Sequence, residues 1–200
     1  MDQENKPEEE KFKSGELRQI ILAGLGIGLV LGGSVILSPN FPIILGGLMK
    51  IVEEIKGMKI PKTKIRRALK RLEKRKIIAL DQKDEGVEVR VLEGGKVEVL
   101  KYSIKRLLEL KSKKKKWRRK WFLVIFDVPE EERNKRDYLR DFLREIGFYQ
   151  YQQSVYVYPY ECEKEVDLIK KIVEGGKYIS YIVAEKLERE NLLRKQFGLV

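Results

Sequence analysis

Apolar and polar positions divide this 200-residue chain into blocks of different period. The first block has no period at all. No charged residue occurs from Gln19 to Met49, and Ile20 to Leu37 is apolar or glycine apart from Ser34. The second block, 59–76, places Ile65, Ala68, Leu69 and Leu72 at i, i+3, i+4 and i+7, which predicts an amphipathic helix with Thr63 as its N-cap. Ile77–Leu80 then begins a β-type run. A polar turn at Asp84-Glu85-Gly86 follows, and Val87, Val89 and Val91 alternate with Glu88 and Arg90. Over 96–110, Val97, Leu100, Ile104, Leu107 and Leu108 fall at near-helical spacing, although Val97 and Val99 also fit a strand.

The sharpest pattern lies between Trp121 and Tyr160. Trp121–Phe126 is an unbroken aromatic and β-branched run, the signature of a buried strand. Pro129 and Glu130–Glu132 suit the positive end of a helix. Tyr138, Leu139, Phe142, Leu143 and Ile146 give that helix one apolar face, and Gly147 stops it. Tyr149–Tyr158 is β-type again. A helix over 163–173 and a strand over 178–184 complete the block, and 185–197 reads as a short terminal helix. If 149–158 folds as two paired strands, the order is βαββαβ, the ferredoxin-like pattern.

Composition narrows the chemistry. The net charge of +12 favours a polyanionic partner, either nucleic acid or an anionic membrane surface. The absence of histidine removes histidine-based acid–base catalysis, histidine metal sites and the Ser–His and Cys–His nucleophile systems. Any metal site would be built from carboxylates and water, which suits Mg²⁺ or Mn²⁺. A single cysteine, Cys162, allows no intrachain disulfide and fits a reducing compartment. No Gly-rich phosphate loop ending in Lys-Ser/Thr occurs, so nucleotide hydrolysis is not expected.

The uncharged block leaves two readings open. Ile20–Leu37 approaches the ~20 residues of a bilayer span, and Gly24, Gly28 and Gly32 form a G-x-x-x-G ridge of the kind packed membrane helices use. Alternatively it is the buried first helix of a soluble domain, with 41–56 as the second. The expected location is cytoplasmic, with tethering to the inner face of the membrane through 20–37 under the first reading.

One resemblance adds to these readings. Phe126-Asp127-Val128-Pro129, an arginine-bearing helix, Gly147-Phe148 and Gln153-Ser154-Val155-Tyr156-Val157 resemble the CRISPR adaptation protein Cas-two. The longer string from Trp121 to Cys162 is more similar to the Cas-two-like central domain of PaaX-type transcriptional repressors. That resemblance implies a winged helix upstream, and helix 62–76 with the hairpin after it matches the second half of one. It also implies a further C-terminal domain, for which this chain is too short, so the ligand-sensing role that the resemblance suggests is not expected.

The expected architecture is α+β: a tail over 1–15 read as disordered, a winged-helix domain over 16–110, a basic linker over 111–116, a Cas-two-like ferredoxin-like domain over 117–186 and a C-terminal helix over 187–200. The expected function is duplex DNA binding by a homodimeric regulator without a cofactor. Lys62, Lys64, Arg66, Arg67, Lys70, Arg71 and Lys74 on the recognition helix, with Lys113, Lys114 and Arg118 of the basic run, would meet phosphates and base edges. The alternative, which the Cas-two resemblance implies, is a Mg²⁺- or Mn²⁺-dependent nuclease or CRISPR-adaptation subunit with Asp127 as metal ligand and catalytic residue. Against it, Asp127 also fits a helix cap or a partner for Arg133 or Arg136. A third reading is a membrane-anchored protein binding anionic lipid.

Overall fold

The computed structural model describes residues 12–13, 15–31, 43–84, 86–114, 116–173 and 176–199. The chain divides into two units, Met1–Val99 and Leu100–Val200. Among the described residues it is a mixed α+β structure with two sheets and seven α-helices.

The first unit contains α1 (Glu16–Leu31), β1 (Ile43–Ile44), α2 (Leu45–Lys56), α3 (Lys62–Lys74), β2 (Ile78–Lys83) and β3 (Gly86–Val91). β3 is central, pairing antiparallel with β2 and with the short β1. Ile21, Leu22 and Leu25 of α1, Leu48 and Val52 of α2, Ile65, Leu69 and Leu72 of α3, and Val89 of β3 are buried. A Cβ on Gly24 would meet Ile51 Cγ2 at 3.3 Å and Leu48 Cδ1 at 3.4 Å, so the first glycine of the ridge lets α1 lie close on α2. That glycine serves packing within the unit. Among the described residues no helix is long and apolar enough to cross a membrane. Residues 32–37 of the expected span lie outside the described residues, as do 1–11 and 14 of the expected tail.

Two expectations are corrected here. Thr63 does not cap α3. Pro61 occupies that position, and its carbonyl accepts the amides of Lys64 (2.9 Å) and Ile65 (3.3 Å). Proline is already set at a suitable φ and has no N–H to satisfy, so the helix opens two residues earlier. The basic run is also not simply a spacer. α4 spans Lys96–Lys114, so 111–114 continue a helix, and the β option for Val97 and Val99 is not taken. Lys111 Nζ donates to Glu165 Oε2 at 2.6 Å and to the Glu161 carbonyl at 3.0 Å, which gives the buried Glu165 carboxylate its counter-charge.

The second unit follows the βαββαβ order: β4 (Trp121–Phe126), α5 (Arg133–Ile146), β5 (Tyr149–Gln152), β6 (Val155–Tyr158), α6 (Glu163–Ile172) and β7 (Ile179–Ala184), then α7 (Glu190–Phe197). The all-antiparallel sheet runs β5-β6-β4-β7. Its two faces carry separate apolar clusters. Val124, Phe126, Tyr156 and Tyr158 pack with α5, α6 and the end of α4, while Trp121, Leu123, Val157 and Leu193 of α7 pack on the other side. Gly147 takes φ +105° and closes α5, with the Gly147 and Phe148 amides returning to the Arg144 and Leu143 carbonyls.

Among the described glycines of the first unit, Gly95, in the turn Glu93–Gly95 before α4, leaves the least room for a side chain. A Cβ there would sit 2.2 Å from the Ile77 carbonyl oxygen. Gly95→Ala is expected to destabilise the fold by about 1–3 kcal/mol through forced backbone displacement, read as a lower urea midpoint. Gly46→Ala, whose added Cβ meets nothing within 4 Å, is the matched control.

Candidate nucleic-acid interface

α3 carries the densest charge in the first unit. Its apolar row, Ile65, Leu69 and Leu72, is buried, and this turns Lys62, Lys64, Arg66, Arg67, Lys70, Arg71 and Lys74 outward, all exposed. Its one acidic residue, Glu73, accepts the Leu80 amide at 3.2 Å. Among the described residues no ion pair is made by Lys62, Arg66, Arg67, Lys70, Arg71 or Lys74. Six exposed cations on one helix without counter-charge raise the local potential and attract polyanions.

α5 is the internal contrast. Arg133 pairs with Asp137 at 3.7 Å, Arg136 with Glu130 at 2.8 Å, Arg140 with Asp137 at 2.9 Å and Arg144 with Asp141 at 3.0 Å. Arg140 Nε donates to the Gln153 carbonyl, and Arg144 donates to Gln150 Oε1. These arginines bind their own domain.

The turn between β2 and β3 is less acidic in effect than its composition suggests. Arg90 and Asp81 pair across the two strands at 3.0 Å, and Asp84 remains exposed at the tip. Glu85 lies outside the described residues. The other predicted cations belong to the second unit. Lys113 and Lys114 are in the last turn of α4, with Lys113 exposed. Arg118 is exposed and lines a groove with Lys116, Lys120, Phe122 and Tyr181. Trp117 is packed: its ring lies 5.0 Å from Trp121, its Nε1 donates to the Lys120 carbonyl, and the Arg194 guanidinium sits 5.5 Å from its centroid.

Asp127 stands exposed at the end of β4, with its backbone amide donating to the Tyr178 carbonyl at 3.0 Å. Neither structural role expected for its side chain is formed. Arg133 and Arg136 pair elsewhere, and no side chain caps α5, because a 3-10 turn over Glu130–Glu132 separates Pro129 from the helix. In that turn Glu132 accepts Tyr178 Oη at 3.2 Å, and hydrogen bonding from Lys135 is the main cause holding its carboxyl below the usual range. Among the described residues no group of three His, Cys, Asp or Glu side chains is placed to hold a metal ion. Asp127 offers one carboxylate, which does not make a closed ligand set for Mg²⁺ or Mn²⁺.

Sequence reasoning missed Lys13, Arg18 and Arg75, which border a groove beside α3. Arg18 and Arg75 both face Glu98, Arg75 at 4.0 Å. Their signal was weak, because isolated cations flanking an apolar helix are ordinary surface residues.

Cys162 is buried ahead of α6, and its amide donates to Tyr181 Oη at 3.3 Å. Burial, with Glu165 nearby, pushes its thiol well above the ordinary range. The native protein is therefore expected to resist thiol reagents and to label at one thiol per chain only after unfolding in urea. Fast native labelling would show that this part of the second unit opens readily.

Residues 114–195 match the family model described as the PaaX protein central Cas2-like domain. No match is found among curated proteins. Among solved structures, the uncharacterized protein Rv0674 from Mycobacterium tuberculosis is similar over 86% of this chain, at 16% identity and a TM-score of 0.35. The chain spans 66% of that protein's length. A likeness at that score carries no functional argument.

Proposed function

We propose that this chain, whose segment 114–195 matches the model of the PaaX protein central Cas2-like domain, is a PaaX-like regulator that binds duplex DNA through α3. The observation that carries the reading is the six α3 cations, Lys62, Arg66, Arg67, Lys70, Arg71 and Lys74, that make no ion pair among the described residues, set against the self-paired arginines of α5. The topology of the first unit supports a winged helix. Three helices precede a hairpin whose second strand also pairs with the short β1, which leaves α3 on the surface as the recognition helix and the β2–β3 turn as the wing. The second unit serves as scaffold and dimer interface. Its edge strand β7 exposes Ile182 (43%) and Val183 (49%), apolar surface that a second copy would cover.

In this mechanism α3 enters the major groove, where arginine pairs bidentately with guanine edges and lysine neutralises phosphate. Counterion release makes the affinity fall steeply with salt. No cofactor and no metal takes part.

The test is fluorescence anisotropy of a labelled 30-base-pair duplex against the full chain over a salt series, with the same samples run on a denaturing gel with and without Mn²⁺. Salt-sensitive binding to intact DNA is expected. Arg66→Ala/Arg67→Ala should weaken it by about tenfold or more, at roughly 1–3 kcal/mol per lost contact, and Asp127→Ala should leave it unchanged. Metal-dependent cleavage abolished by Asp127→Ala would establish the nuclease instead. Pelleting with anionic vesicles in the absence of duplex binding would favour the lipid surface.

A further inference from the structure

The cations of α3 fall into two rows. Lys62, Arg66, Lys70 and Lys74 recur every four residues along one flank. Lys64, Arg67, Arg71 and Arg75 recur at intervals of three and four along the other, the side facing the start of α1. The second row borders a groove. That groove, of about 410 Å³, is floored by Leu17, Ala68 and Leu72, and Lys13 and Arg18 close its far side. Among the described residues six cations line it and no carboxylate does. Glu98 stands outside the lining, where it holds Arg18 and Arg75. Arg67 and Arg71 have no ion pair among the described residues.

We propose that this groove seats the sugar–phosphate backbone of one DNA strand, so that α3 divides its work: Arg67 and Arg71 grip phosphate, while Arg66 and Lys70 face base edges. The inference rests on the duplex-binding reading above and adds the partition to it. A helix with side chains is about 10–12 Å across, and the major groove is about 12 Å wide. A helix filling that groove therefore brings its flanks to the phosphate walls. Here one flank is extended by a second helix end carrying two more cations, which makes a trough. Charge complementarity selects the occupant: a rim that is cationic among the described residues, over an apolar floor, suits a chain of phosphates joined by sugars, whose carbon faces rest on Leu17 and Ala68. Phosphate contacts set register and affinity without carrying sequence information, whereas base-edge contacts specify.

The experiment compares two exposed double variants of the full chain, Arg67→Gln/Arg71→Gln and Arg66→Gln/Lys70→Gln. Each is read by the salt dependence of binding to a labelled random-sequence 30-base-pair duplex and by the motif enriched from a randomised duplex library. Arg67→Gln/Arg71→Gln is expected to reduce the magnitude of the log–log salt slope by about 2, near 0.9 per phosphate contact, while enriching the same motif as the unaltered chain. Arg66→Gln/Lys70→Gln is expected to lose that motif. An unchanged slope, or a lost motif, for Arg67→Gln/Arg71→Gln overturns the partition and leaves duplex binding standing. Failure of the unaltered chain to bind duplex overturns both.

Discussion

The second unit depends on one strand being buried on both faces. β4 is paired on each edge, with β6 and with β7, so its backbone polar groups are satisfied within the sheet. Its side chains alternate between two apolar layers: Trp121 and Leu123 meet α7, and Val124 and Phe126 meet the helical face. A strand in that position tolerates no polar substitution and no slip, since a one-residue shift would exchange the two layers. The remaining elements follow. α5 and α6 cover one face, α7 and the Trp117–Trp121 contact cover the other, and the buried Tyr158 ties the sheet to α4 by donating to the Leu108 carbonyl at 2.9 Å.

Given that scaffold, the placement of counter-charge separates structure from interaction. α3 carries three arginines and α5 four, but on α5 aspartates and a glutamate lie within reach of every guanidinium. Exposed pairs of this kind add little stability, about 0–1 kcal/mol each. Their larger effect is to cancel the field that α5 would otherwise project. On α3 the one glutamate is turned to a backbone amide, and the field remains.

The parts legible in the sequence were those with a period. The 121–184 block announced its strands and helices because aromatic and β-branched runs alternated with amphipathic spacing, and the α3 face was legible because Ile65, Leu69 and Leu72 define the buried side. Where pattern was absent, reading was weaker. The uncharged block offered no polar face to orient α1, so Gly24 looked equally suited to a membrane partner or to α2; only the close contact to Leu48 and Ile51 gives it a local role. The basic run after Leu110 looked like a spacer because composition hides Lys111, whose charge is matched by a buried glutamate 54 residues away. The groove beside α3 was illegible for the same reason. It is made by two helix segments separated by some forty residues, and no local spacing links Arg18 to Arg71.

Asp127 shows how far a shared fold carries toward shared chemistry. Its position at the end of β4 follows from the topology. A carboxylate there is exposed because the strand ends, and Val128 and Pro129 lead the chain away before any helix begins. Exposure without a partner keeps the residue available, but availability is not a catalytic site. Metal-assisted hydrolysis requires a ligand set that fixes the ion and orients the attacking water, and a lone surface carboxylate fixes neither. The chemistry would therefore depend on a second copy of the chain bringing its own Asp127 into range. That is a property of an assembly, set by how the edges and faces of two sheets meet, and the βαββαβ fold does not dictate it. The basic surface of α3 is complete within one chain, and so it carries the stronger argument for function.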